Sequence, residues 1–545
     1  MRARIFFLLA AFGLCMLSVV QGQNPSSAID SRRRENMRAQ KQERKEVVAR
    51  WSESIIFAYP ASDEGMQMWT TYLHYIRESL WNLNFDTSDI VDEEYWNWFL
   101  SRLLTYFFVC CDELPNRECE SYNNNLLRKN FLDYHNGKAN DNPCTWEDVR
   151  NALDDGEVAV ELSVLPDEFL VLKKGYQKPI SIPIDSITCE RILNADIHKY
   201  SDIYQLYSSS GALHDLWMLL EPYLKGATTV YFSATNYFTQ YNFSAIPINA
   251  NQTVSDKYRF KYLLSTADIK KLKESDEMFD PKHAALFGGV KYDVDTADII
   301  AEAMLYRDSR NEADWNLTRG LPEDLRSGFR YLNGTLDEVD AIAGVLGENS
   351  VNVELLTGKS ASEEALKHYS KDADLLHIAT HGFMLAPLFN SEQGDALKIT
   401  MGNKYQTILS QSGLLLAGAN HVWQGESRIE GAEDGILTSK EIANLDLSDF
   451  KLVVLSSCDS GLGDVFNLTG ASYGVQHAFK KAGASKVLVS LWKIDDMATS
   501  LFMKSFYRNL VNGRDYHSAI KNAQNELKGN GYDDPYYWAP FVLIE

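Results

Sequence analysis

Six short apolar runs constrain the fold of this chain more than any other feature. They are "TTVYFSA" (228–234), "AALFGGV" (284–290), "NVELLTG" (352–358), "LLHIAT" (375–380), "KLVVLSS" (451–457) and "KVLVSLW" (486–492). Each is apolar along its whole length rather than at alternate positions, so both faces of each strand must be covered. Between and after them lie amphipathic helical patterns, among them "TLDEVDAIAGVL", "SASEEALKHYS", "GASYGVQHAFKKAGA", "DDMATSLFMKSFYRNLVNG" and "YHSAIKNAQNELKG". Buried strands alternating with helices predict an α/β fold, a mostly parallel sheet covered by helices on both faces. Sheets of this kind carry their sites just beyond the carboxyl ends of the strands. Ahead of the first run, "CTWEDVRNALDDGEVAVELSVLPDEFLVLKKGYQKPISIPI" predicts a helix and then two strands about a turn.

The chain has 545 residues, enough for more than one domain. Residues 1–22 have the form of an export signal: a basic "MRAR", a 16-residue apolar run and a small residue suited to cleavage after Gly22. The run is short for a spanning helix, and no later stretch is long and apolar enough to cross a bilayer. Residues 23–140 read as a small all-helical region rich in aromatics, without a 34-residue repeat. The segment "NGKANDNP" (136–143) links it to the α/β part, 145–545. A net charge of −22 excludes a general nucleic-acid binder, which needs a basic face. The spacing of the seven cysteines is not that of a zinc site and predicts no particular disulfide.

The chemistry concentrates in "DLLHIATHGF" (374–383) and "KLVVLSSCDSGLG" (451–463). On a strand, His377 and His381 are about 13 Å apart along the chain, too far to grip one small ion, and no glutamate stands beside them as in a helical metal pair. His381 and Cys458 each follow the carboxyl end of a predicted buried strand. If those strands are neighbours, an imidazole and a thiol meet at one edge of the sheet. A free thiol is only a few per cent thiolate at neutral pH, and a nearby imidazole takes its proton. Gly382 is expected to let the backbone turn sharply there. The backbone N–H groups of Gly382 and Cys458 could then face a tetrahedral oxyanion.

The ordered set "TWEDVRNALDDGEVAVEL", "EPYLKGATTVYFSAT", "GTLDEVDAI", "LLHIATHGF", "DGILTSKEIANLDL", "LVVLSSCDSGLG", "GVQHAFKKAGASKVLVSLWKIDDMAT" and "WAPFVLIE" resembles the CHAT-domain family. These are caspase-like cysteine peptidases related to separases, gingipains and caspases. The resemblance implies His381 as the catalytic histidine and Cys458 as the nucleophile, with His377 non-catalytic. It also implies an acidic residue after the next strand that receives a basic substrate side chain. Asp496 in "LWKIDDMAT" fits that position best and Asp495 adjoins it, although an acidic pair there is also suited to capping the following helix. Asp434 in "EDGIL" is a further candidate, more in keeping with a turn or cap. The chain departs from the caspase signature in having Asp459 and Ser460 before Gly461, and in a wide spacing between His381 and Cys458 that implies an insertion over residues 384–445.

The expectation is an exported cysteine endopeptidase, acting in the periplasm or outside the cell, with a bacterial origin inferred from family and signal. It would cleave a protein or peptide substrate after a basic residue, and it needs no metal or cofactor. Self-cleavage after Arg428 or within residues 32–34 would follow from the same preference. An activating or recruiting protein could engage the helical region 23–140. Two other readings stay open at this stage: a catalytically silent binding or scaffold protein of the same fold, and a non-proteolytic acyl-transfer enzyme using the same Cys–His pair.

Overall fold

The structure is a computed structural model that describes residues 144–163, 167–197, 199–275, 278–306, 327–384, 412–456, 471–492 and 494–545, with 118–119, 121–123 and 125–126. The signal-like segment 1–22, nearly all of the helical region 23–140 and Cys458 lie outside the described residues.

Helix α1 (Trp146–Ala152) starts at a reciprocal cap, in which the Thr145 hydroxyl accepts the Asp148 N–H and the Asp148 carboxylate accepts the Thr145 N–H. Strands β1 (Glu157–Ser163), β2 (Glu168–Lys173) and β3 (Ile180–Pro183) form an antiparallel meander, so this region holds three strands where two were expected. β4 (Thr229–Ala234) lies parallel to β1, and β7 (Arg259–Tyr262) parallel to β4, after a small hairpin of β5 (Pro247–Asn249) and β6 (Gln252–Thr253). Strands and helices then alternate as β8 (His283–Val290), α2 (Asn333–Glu348), β9 (Asn352–Gly358), α3 (Glu363–Tyr369) and β10 (Leu375–Ile378). A separate antiparallel sheet follows, made of β11 (Gly382–Met384), β12 (Ser412–Leu415) and β13 (Ile436–Thr438). The chain closes with β14 (Leu452–Leu455), α4 (Ala471–Lys481), β15 (Val487–Ser490), α5 (Asp496–Val511), α6 (Tyr516–Gly529) and β16 (Phe541–Ile544).

The main sheet has eleven strands in the order β3-β2-β1-β4-β7-β16-β15-β14-β10-β8-β9. Seven of its ten neighbouring pairs are parallel. β16 is parallel to β7 but antiparallel to β15, so two parallel blocks run in opposite directions and meet at that pair. Five of the six apolar runs belong to the block β15-β14-β10-β8-β9, and their carboxyl ends share one edge. The first run, β4, belongs to the opposed block and ends at the other edge.

Every residue of β10, β14, β15 and β16 is buried, as a strand covered on both faces requires. On β10, His377 faces α2 and α5, while Leu376 and Ile378 point to the opposite face. The described part of the helical region is joined to this sheet: Tyr122 and Leu126 share an apolar cluster with Trp146, Val149, Leu170 and Leu172. Tyr122 also meets Thr266 at 2.9 Å, and Asn125 donates to Glu161 at 2.7 Å.

Candidate active site

Parallel pairing of β10 and β14 builds the edge. Leu375 lies opposite Leu452 and Ile378 opposite Leu455, and the Ser456 N–H donates to the Ile378 carbonyl at 3.0 Å. His381 follows Ile378 by three positions, and Cys458 follows Leu455 by the same three. The condition set by the sequence, that the two strands be neighbours, is met.

His381 is 3% exposed and fixed from several sides. Its ring packs against Tyr292 and Phe329, with centroids 5.1 and 5.3 Å away. Its backbone N–H donates to the Tyr292 hydroxyl at 3.2 Å, and its carbonyl accepts the Leu415 N–H at 2.9 Å. Nε2 stands 2.8 Å from the Arg330 carbonyl oxygen. A carbonyl only accepts, so Nε2 carries the proton, and in the neutral ring the lone pair sits on Nδ1. That tautomer leaves Nδ1 as the basic nitrogen. The Thr380 hydroxyl donates to the Leu415 carbonyl, so the Tyr292 hydroxyl, 2.8 Å away, donates to Thr380. Burial pushes the Tyr292 phenol up to about 12, which keeps it a neutral donor.

Gly382 is not the sharp turn expected of it. The bend falls at Thr380, and Gly382 begins β11 in extended backbone. A Cβ there would meet only the Gly413 carbonyl, at 3.7 Å, so the described neighbours do not require glycine. Gly382 is opposite Leu414, with the inter-strand bond made one step earlier by His381. In that register the Gly382 N–H points away from β12. The described part of the expected insertion supplies β12 and β13, the partners that hold this strand.

Asp495 caps α5, its Oδ1 accepting the N–H groups of Met497 and Ala498 at 3.0 and 3.1 Å. Exposed Asp496 accepts the Gly334 N–H at 3.1 Å, at the start of α2. Gly334 is four residues beyond Arg330, a span of at most about 14 Å, so Asp496 and His381 are held to the two ends of one short segment. A Cβ on Gly334 would fall 2.3 Å from the Asp496 Cβ, so glycine is what permits this approach. Asp434 accepts the Ile436 N–H at 3.0 Å and the Arg428 Nε at 2.7 Å, which makes it a turn residue and ties down the arginine considered for self-cleavage. His377 is fully buried, 3.0 Å from Glu338 and 3.2 Å from Tyr507.

Two further features escape residue-based reading. One is the Arg330 carbonyl, a backbone group that no side chain advertises; Tyr292, just past the end of β8, could have been flagged by its place at the carboxyl edge. The other is a buried charge cluster behind β13. The Lys367 ammonium is 2.7 Å from Glu363, 3.0 Å from Glu433 and 3.3 Å from Glu441. Burial, assisted by the neighbouring carboxylates, holds the Glu363 carboxyl well above the usual carboxylate range. These three glutamates have the proximity of a metal set, but the ammonium already takes the cation's place.

The description "CHAT domain" matches residues 209–545. Tetratricopeptide repeat protein 28 of Mus musculus is 29% identical over 223 residues, 39% of this chain and 9% of that protein. Its Homo sapiens counterpart is 27% identical over 224 residues, with the same 39% and 9%. The chain thus spans about a tenth of the length of these curated relatives. Among solved structures, the Arg-specific cysteine proteinase gingipain R aligns with a TM-score of 0.35 at 9% identity, covering 63% of this chain and 69% of that one. The separase of the Saccharomyces cerevisiae separase–securin complex aligns at 0.30 and 11% identity, covering 87% and 27%.

Proposed function

The chain belongs to the CHAT-domain family, and from that premise we propose that it is a cysteine endopeptidase with Cys458 as nucleophile and His381 as general base. The observation that supports this reading is the parallel pairing of β10 with β14, since in the sequence His381 follows Ile378, and Cys458 follows Leu455, by the same three positions. In this mechanism His381 Nδ1 takes the thiol proton, with Nε2–H anchored on the Arg330 carbonyl. The thiolate attacks the scissile carbonyl, and the N–H groups of Gly382 and Cys458 stabilise the oxyanion. The imidazolium then gives its proton to the leaving amine. A water deprotonated by His381 hydrolyses the thioester and regenerates the thiol.

Asp496 gives the preference for a basic residue before the scissile bond, since a side chain with a full positive charge gains most from a fixed carboxylate. The reading includes export, with cleavage after Gly22, a protein or peptide as substrate, and engagement of an activating protein by the helical region. The test is an acyloxymethyl-ketone probe with Arg or Lys at the P1 position, applied to the wild-type chain and to Cys458→Ala, with the label located by mass spectrometry. Labelling at Cys458 that disappears in the variant is the expected result. An unlabelled Cys458 with basic and apolar probes alike, in the presence of cell extract from the source, would sink the reading.

A further inference from the structure

We propose that His377, four residues before His381 on the same strand, is the positioning residue of this site; the inference rests on the Cys458–His381 reading above. His377 is fully buried, and so is Tyr507, with Glu338 3% exposed. Its Nε2 is 3.0 Å from Glu338 Oε1 and its Nδ1 is 3.2 Å from the Tyr507 hydroxyl. A carboxyl oxygen accepts, so the His377 Nε2–H donates to Glu338. In the neutral ring Nδ1 then accepts from the Tyr507 hydroxyl, and each polar atom of the imidazole has a directed partner.

Such a group is not there for stability alone. Apolar residues of the same volume would fill this space without desolvating an imidazole and a carboxylate. What the two bonds add is direction, and both lead to the site. Glu338 belongs to α2, which starts three residues after Arg330, the residue whose carbonyl holds His381 Nε2. Tyr507 belongs to α5, which starts at Asp496, the residue whose carboxylate holds Gly334 at the head of α2. Packed helices can slide past one another by small steps. Hydrogen bonds from one strand residue to both helices remove that freedom. The same bonds therefore set the Arg330 carbonyl and the Asp496 carboxylate relative to His381. His377 touches no substrate in this scheme and acts through α2 and α5.

The test follows the alkylation of Cys458 by iodoacetamide between pH 5 and 10 in the full-length chain, read as mass on the Cys458 peptide. The variants are Glu338→Leu, which removes the acceptor of the His377 Nε2–H, and Tyr507→Phe, which removes a single oxygen and guards against a Glu338→Leu chain that fails to fold. In the wild type, the pH of half-maximal alkylation should lie well below the value near 8.5 of a free thiol. In the folded variants it should move toward that value by at least half a pH unit, about a threefold change in thiolate ratio. A structural role would lower the thermal midpoint and leave the profile of the folded protein unmoved. An unmoved profile in a folded variant, beside a displaced wild-type profile, overturns the inference and spares the dyad. A wild-type profile at the free-thiol value overturns the dyad and this inference with it.

Discussion

Replacing Lys367 with methionine keeps the aliphatic stem and deletes the ammonium from among Glu363, Glu433 and Glu441. The side chains of Lys367 and Glu363 are 2% and 1% exposed, and those of Glu433 and Glu441 are 6% and 18% exposed. One oxygen from each carboxyl lies within 4.8 Å of the others. At an effective dielectric constant of about 20, two such charges repel by about 3.5 kcal/mol. Removing one partner of a buried pair in other proteins costs about 3–5 kcal/mol. The cluster can escape the full penalty by binding one more proton. That costs about 1.4 kcal/mol for each pH unit above the ordinary carboxyl value, so the loss depends on pH. At pH 5.5 the deficit of Lys367→Met should be about 1.4 kcal/mol, and at pH 8.5 it should reach the ceiling of about 3–5 kcal/mol. The wild type should itself lose stability as pH rises from near 4.5, because the unfolded carboxyl gives up its proton there while the folded Glu363 carboxyl, held above its unfolded value by burial, keeps it. Urea unfolding followed by tryptophan fluorescence at both pH values measures the two deficits. Equal deficits, or a smaller one at pH 8.5, would refute the placing of a lysine cation among crowded carboxylates.

Tyr292→Phe should cost about 1–3 kcal/mol in the same urea assay, because the buried His381 N–H loses its acceptor, and it should slow labelling of Cys458. Gly382→Ala should leave stability within about 0.5 kcal/mol, since the new Cβ has room, yet cut probe labelling at least tenfold if a substrate carbonyl must approach that backbone; unchanged labelling would remove Gly382 from the oxyanion site. Asp496→Asn should weaken labelling by Arg and Lys probes at least tenfold while sparing apolar ones, whereas Asp495→Ala should cost about 1 kcal/mol as a lost helix cap and leave the probe preference unchanged.

The strands that were legible in the sequence are those whose burial is written in hydrophobicity. β8, β10, β14 and β15 each coincide with an apolar run and are buried almost throughout, whereas β9, expected to be covered on both faces, is an edge strand with only Leu356 buried. β7 is the counter-example. Its "RFKY" reads as half-polar, yet it sits in the middle of the main sheet, and Lys261 is 4% exposed because it pairs with Glu545 at 3.7 Å. A pairing made across hundreds of residues leaves no local periodicity to find. The opposed directions of the two parallel blocks were hidden for the same reason, since one antiparallel neighbour, β16 beside β15, decides them. At the site, His381 was legible because glycine follows it at a strand end. Its orientation was not, because the group that fixes the ring is a main-chain carbonyl. Gly382 misled for a related reason: glycine advertises conformational freedom, and here the backbone is extended and the freedom unused.

The two aspartates show why a capping reading and a pocket reading need not compete. Both α2 and α5 begin at the carboxyl edge of the same strand block, so their unpaired N–H groups give that edge a positive bias. Asp495 answers α5, and Asp496 answers α2 through Gly334. A carboxylate has two oxygens and about four acceptor sites. One Asp496 oxygen held at 3.1 Å by Gly334 restricts the rotation of the group and so fixes the direction of the other. On the basic preference proposed above, a guanidinium or ammonium would meet a carboxylate whose orientation entropy has already been spent on the helix start. An asparagine at this position would keep the bond to Gly334 and the start of α2 and lose only the charge. The loss of preference for basic probes in Asp496→Asn would then report on recognition rather than on folding, a separation that alanine at the same position could not make.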